Sequence, residues 1–310
     1  MQGHVQGVDP RTRTLILVVV TIATFLNPFT GSSINLALPL IGEEFGTDAV
    51  ILSWIPTSYL LSTAIFLLPA GRFGDMMGRG RVFTWGTLLY TSASLLTVFT
   101  PHIPFLLGCR FLQGLGSAMV FSNAVAIIAE VYPPGERGRA LGLNVMAVYG
   151  GLTLGPFLGG LLTQYLGWRS IFGVTIFLGA VVLASVRRLP ASLSGTVREP
   201  FDIRGAVLSA AIMVLFFVGI STLPATSGIA AVVLSLGLLL VFVRVEDAAP
   251  SPLFPLHLFR ENRSFAYSNA SALINYCATF AVTFLMSLYL QVVQGLTPAF
   301  AGLVLLVQPM

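Results

Sequence analysis

The sequence predicts an all-α fold, a polytopic membrane helix bundle, and three observations carry that prediction. The chain is 55% hydrophobic and only 9% charged, whereas soluble domains carry about 25% charged residues. Its charges leave long neutral runs, with no Asp, Glu, Lys or Arg in 14–42, 49–71, 82–109, 111–129, 140–168, 170–186, 205–243 or 264–310. All sixteen basic residues are arginines, and they gather between the runs.

A helix crosses the roughly 30 Å hydrocarbon core with about 20 apolar residues, so each run is judged as a crossing in turn. Residues 14–186 supply six, joined by short loops. The first, entered by "RTRTLILVVVTIATFLNPFT", imitates a signal peptide but runs to Pro39 without a clear small-x-small cleavage site. The polar linker "RRLPASLSGTVREPFDIRG" follows. The next run contains the turn signal "TLPATSG", which splits it into a pair of short crossings, 205–222 and 228–243. A second, proline-rich linker, "RVEDAAPSPLFPLHLFRENRS", resists assignment as a helix, although "LHLFR" has the pattern of a segment lying along a membrane surface. A ninth crossing begins near Phe265, and after "QGLTP" part of a tenth begins. The expectation is therefore nine crossings and a fragment, in three units: a six-helix bundle (1–190), linkers with two inserted crossings (191–263), and an incomplete start of a second bundle (264–310). A missing C-terminal half of the same protein is part of that expectation.

Arginine fixes the expected orientation. With the N-terminus in the cytoplasm, segments 1–13, 72–81, 131–139, 187–204 and 244–263 face inward and hold fourteen of the sixteen arginines. Arg169 alone falls in an outer loop, and Arg110 lies within a span. Cytoplasmic loops carry such an excess, so the net charge of +4 is a topology signal and gives no reason to expect nucleic acid. The lipid bilayer of a plasma or inner membrane is the expected surrounding.

Signals for catalysis are weak throughout. Cys109 and Cys277 sit inside neutral runs and read as small packing residues. His4, His102 and His257 share no metal-ligand spacing. No Walker loop occurs, so neither ATP nor any other cofactor or metal is expected.

Four stretches carry the functional reading. In "PAGRFGDMMGRGRVF", residues 69–83, Arg72, Asp75, Arg79 and Arg81 crowd together among glycines. Gly71, Gly74 and Gly78 permit a tight turn and close backbone approach. In the fourth span, Arg110, Gln113, Gly114 and Ser117 recur at i, i+3, i+4 and i+7, forming a polar stripe on one helical face. An intramembrane guanidinium costs about 2.5–3.5 kcal/mol on insertion scales, so the stripe faces a cavity or a neighbouring helix, unless Arg110 snorkels to the outer surface. In the fifth span, Gly151, Gly155 and Gly159 form a ridge for close helix approach, and Pro156 favours a bend. In the first two spans, Asn27, Asn35 and Tyr59 offer hydrogen bonds, either to a small-molecule substrate or between helices.

These motifs resemble the major facilitator superfamily. Gly71, Phe73, Asp75, Gly78 and Arg79 match its loop between the second and third spans, with Met76 at one of the basic positions. Arg110, Gln113 and Gly114 match its fourth-span motif. Gly142, Gly151, Gly155, Pro156, Gly159 and Gly160 fit an antiporter-type signature without a gap. "NPFTGSSINLALP", "WIPTSYLL" and the inserted pair resemble a subgroup with fourteen spans, best known for drug:proton antiporters. The resemblance implies a proton-coupled exporter of small amphipathic compounds working by alternating access. Arg110 and Gln113 would line its cavity, Gly155 and Pro156 would shape the bundle contact, and Asp75, Arg79 and Arg81 would latch the inner gate. One departure matters: many such antiporters place an Asp five residues before Asn35, where this chain has Thr30. With no mid-span carboxylate, proton transfer would fall to Glu130, to Asp75 with Arg110, or to an acid elsewhere. The rival expectations are uptake or exchange of a metabolite without protons, and a truncated product or membrane scaffold without transport.

Overall fold

A computed structural model describes residues 9–186, 201–249, 252–254 and 256–307. Among these residues the elements are helices α1 (Pro10–Phe45), α2 (Ala49–Met77), α3 (Arg79–Val98), α4 (Ile103–Val131), α5 (Pro134–Leu166), α6 (Arg169–Val186), α7 (Ile203–Ser221), α8 (Thr226–Ala248), α9 (His257–Glu261), α10 (Arg263–Leu288) and α11 (Pro298–Leu305). A π-helical turn, Tyr289–Val293, extends α10. Helix dominates for a physical reason: in lipid every backbone N–H and C=O needs an internal partner, and a helix provides one within each segment.

The breaks between helices fall at short polar signals. Asp48 caps α2 by accepting from the Ile51 amide at 2.9 Å, and Asn262 caps α10 by accepting from Phe265 at 3.0 Å. The crowded 69–83 stretch is not a loop. α2 runs on through Gly71 and Asp75 to Met77, Gly78 alone makes the junction at φ 107°, and Arg79 opens α3. That backbone conformation is one L side chains rarely adopt, so a single glycine replaces the expected turn of several residues. Gly74 serves close approach instead: a Cβ there would collide with the Asn123 side chain on α4.

Eight described helices are long and apolar enough to cross a membrane. The ninth expected crossing is α3. α3, twenty residues long, opens on Arg79 and Arg81 and is less apolar than the other long helices. It is nonetheless packed among α2, α4 and α6. The expected fragment is α11, eight residues long. The unit boundary at residue 190 lies outside the described residues, as does most of the first linker.

Within the bundle, α1 packs on α5 and α6, α2 on α4, and α3 on α4 and α6. Two apolar layers fill it. One, towards the arginine-rich end, gathers Val20, Phe83, Ile127 and Val182; the other, towards the opposite end, gathers Phe29, Ile41, Leu106 and Phe172. α7 and α8 form a separate hairpin that meets the bundle chiefly through α2, where Phe73 and Phe201 stack at 4.7 Å. α10 lies against α1, and α11 against α5.

Candidate functional site

Residues of α1, α2, α4, α5 and α10 line an open cavity of about 510 Å³. Leu60, Leu67, Phe121, Val148, Leu152 and Phe280 make its apolar wall. The polar wall is built from the α4 stripe. Arg110 is fully buried and does not snorkel. Its guanidinium lies 4.4 Å from the centre of the Tyr59 ring, a cation–π arrangement. Arg110 Nη1 donates to Gln113 Oε1 at 2.8 Å, and Nε donates to the Ile55 carbonyl at 3.3 Å. The Tyr59 hydroxyl in turn is hydrogen-bonded to the Ser117 hydroxyl at 2.9 Å and lies 3.3 Å from the acceptor Asn27 Oδ1. Three helices thus hold one buried cation by its partners, as a low-dielectric site requires.

The stripe divides into lining and support. Arg110 and Ser117 border the cavity; Gln113 stands behind Arg110 and donates to Ser94 on α3 at 2.9 Å. Gly114 turns away from the space, where a Cβ would collide with the Tyr59 carbonyl and Ser62. Asn27 and Asn35, about 80° apart around a helix by the 3.6-residue period, both border the cavity. The Asn35 carbonyl accepts from Ser287 on α10 at 2.7 Å.

Two expected pathway residues are placed elsewhere. Thr30 faces α6: its hydroxyl bonds to Thr175 at 2.9 Å and to the Leu26 carbonyl, away from the cavity lining. Glu130 stands twenty residues from Arg110 on the same helix, about 30 Å along its axis, and pairs with Arg79 at 3.5 Å. Arg79 also binds Asp75 at 2.8 Å. This ion cluster joins α2, α3 and α4 of one bundle. Arg81 is exposed.

The glycine signature also divides. Gly151, Gly155 and Gly159 all abut α1, at Phe25–Phe29, Ser32 and Ser33 respectively, and Ser33 donates to the Gly155 carbonyl at 2.8 Å. Gly155 therefore belongs to the contact inside the bundle. The approach of α11 falls to Gly160, facing the Pro298 carbonyl, and to Pro156, whose carbonyl faces Gly302. Gly142 has open space around it.

Sequence reasoning missed two features. Tyr276, Phe280 and Phe284 of α10 close the cavity; their spacing of four along a helix was the available signal. At the end of the bundle away from most arginines, Arg169 grips Glu44 through two bonds of 2.6 and 2.8 Å, and Trp168 Nε1 donates to the same carboxylate at 2.7 Å. Cys109 is buried, as a packing residue is, while Cys277 is exposed on α10.

Comparison with known proteins agrees with this architecture. The chain is 36% identical over 306 residues to the cephamycin export protein CmcT of Amycolatopsis lactamdurans, covering 94% of this chain and 62% of that protein. It is 33% identical to the multidrug resistance protein Stp of Mycobacterium tuberculosis (strain CDC 1551 / Oshkosh), covering 96% and 56%. It is 29% identical to the riboflavin transporter RibZ of Clostridioides difficile (strain 630), covering 97% and 66%. The chain thus spans between 56% and 66% of the length of these relatives. The crystal structure of the peptide transporter POT in complex with sulfate superposes with a TM-score of 0.64 at 21% identity, covering 93% of this chain and 64% of that one, which shows the shared fold. The named relatives are transport and resistance proteins, not enzymes. The family model described as Major Facilitator Superfamily matches residues 20–309, and the chain belongs to that superfamily.

Proposed function

We propose that this chain forms the first bundle and the opening of the second in a proton-coupled exporter of small amphipathic compounds, working by alternating access. The observation that carries this reading is the cavity: its wall is apolar over most of its area, and one fully buried arginine borders it, donating hydrogen bonds to partners on α2 and α4. Apolar pockets with a few fixed polar groups suit small organic ligands, and antibiotic and multidrug export proteins are among the relatives. The glycine contacts of α5 with α1 and α11 support rigid-body rocking of one bundle against the other, the motion that repeat-built transporters use. The inserted α7–α8 hairpin supports the fourteen-span subgroup. The N-terminus is assigned to the cytoplasm by the arginine distribution.

Proton coupling is assigned to Asp75, Arg79 and Glu130 at the arginine-rich end, because the cavity wall holds no carboxylate among the described residues. The test is export of radiolabelled chloramphenicol, a neutral amphipathic compound, from proteoliposomes under an imposed pH gradient. The gradient is expected to accelerate export, Arg110→Ala to abolish it, and Asp75→Asn to remove its dependence on pH. Gradient-dependent export that survives both substitutions contradicts the assignment of roles. Thr30 and the carboxylate-free wall favour a second reading, exchange without protons; in that case, collapsing the gradient with an ionophore leaves the export rate unchanged.

A further inference from the structure

The charges of the bundle are unevenly satisfied. Among the described residues, Asp75 and Glu130 pair with Arg79, and Glu44 pairs with Arg169. Each of these contacts lies near an end of the bundle. Arg110, between them, has no acidic partner. Its Nη1 and Nε are bonded to neutral oxygens, while Nη2 is buried with no hydrogen-bond partner at all. The side chain is fully buried and borders the cavity. A guanidinium keeps its charge under all ordinary conditions. Among the described residues no Asp or Glu borders the same space, so the described wall carries one positive charge and nothing to cancel it. Asn35, 4% exposed, borders the cavity as well, and its side-chain oxygen also has no partner.

We propose that the cavity selects aromatic compounds bearing an anionic group, with the anion accepting from Arg110 Nη2 and the ring system resting among the aromatic side chains of α2, α4 and α10. This deepens the export reading and rests on it for the cavity's role as a substrate site. The chemistry follows from the wall. An unpaired donor in a site of low dielectric is strongly favoured to meet a charged acceptor. Tyr59 lies beneath the guanidinium and leaves Nη2 without a hydrogen-bond partner. Phe121, Tyr276, Phe280 and Phe284 offer ring faces. The Asn35 oxygen accepts a hydroxyl or N–H elsewhere on the same ligand. A permanent cation meets the opposite situation: repulsion from Arg110 and no carboxylate to offset it.

Two xanthene dyes of similar ring size and opposite charge test this: fluorescein, an anion, and pyronin Y, a cation. Binding is measured by equilibrium dialysis against the purified protein in nanodiscs, with empty nanodiscs as the reference. Fluorescein is expected to bind about tenfold tighter than pyronin Y, the ratio one charge-assisted hydrogen bond provides. Arg110→Gln is expected to erase the ratio and Arg110→Lys to keep most of it. The comparison of dyes on the unaltered protein needs no variant to fold. Equal or tighter pyronin Y binding, absence of binding by both dyes, or a ratio unchanged in Arg110→Gln overturns the inference. Fluorescein preference without gradient-driven export of either dye overturns the export reading and leaves the inference standing. Preferential export of pyronin Y does the reverse.

Discussion

The two ends of the helix bundle each hold an arginine in an ion contact, and they hold it differently. Exposure does not separate them: the Arg79 side chain is 34% exposed and that of Arg169 is 35%. Anchoring does. Arg79 donates to two carboxylates, Asp75 at 2.8 Å and Glu130 at the long distance of 3.5 Å. Arg169 takes both oxygens of Glu44, donates to the Val98 carbonyl at 3.2 Å and the Thr100 carbonyl at 3.4 Å, and stacks 4.2 Å from the centre of the Trp168 ring. Trp168 is itself rooted in the apolar layer beside Phe172. One end is a contact among side chains around a glycine junction; the other is a clamp of α1, the end of α3 and α6 onto backbone and core. A cluster that must rearrange during transport is better made the first way, and a fixed scaffold the second.

That contrast is broken or sharpened by substitution, in descending order of effect. Trp168→Ala removes a 3% exposed indole and is expected to lower the stability of the purified protein by about 3–5 kcal/mol, read as a large fall in melting temperature. Glu44→Gln leaves the packing intact but weakens the grip on Arg169; exposed on one side, that contact is worth roughly 1 kcal/mol, and a smaller fall is expected. Asp75→Asn is expected to change stability by less than about 1 kcal/mol while altering the pH dependence of export. A melting temperature that falls more for Asp75→Asn than for Glu44→Gln reverses the assignment of rigid and yielding ends.

Much of this was legible because charge cannot rest in lipid. The neutral runs mark the long helices, and "TLPATSG" and "QGLTP" mark real breaks, between α7 and α8 and before α11. Arg110 was legible for the same reason: a guanidinium in an apolar run needs partners, and the polar stripe three, four and seven residues on supplies one of them, Gln113. Facing was harder to read wherever a helix is surrounded. α1 is buried between Phe29 and Leu38 on nearly every side, so periodicity does not tell whether Thr30 or Gly31 looks into the cavity; Gly31 does. The same ambiguity put Gly155 at the wrong contact. Glu130 needed no such facing: counting residues along α4 already puts it at the inner end, about 30 Å from Arg110. The Glu44–Arg169 clamp joins groups 125 positions apart, and no local spacing announces it.

The central claim is that the bundle's ion pairs lie at its two ends while the described cavity wall carries a single uncompensated cation. Asn35→Asp tests it most directly, by placing a carboxylate on that wall without disturbing Arg110. The account predicts that fluorescein binding weakens by about tenfold or more and that pyronin Y becomes the better ligand. An unchanged order of the two dyes, with the variant folded, contradicts it.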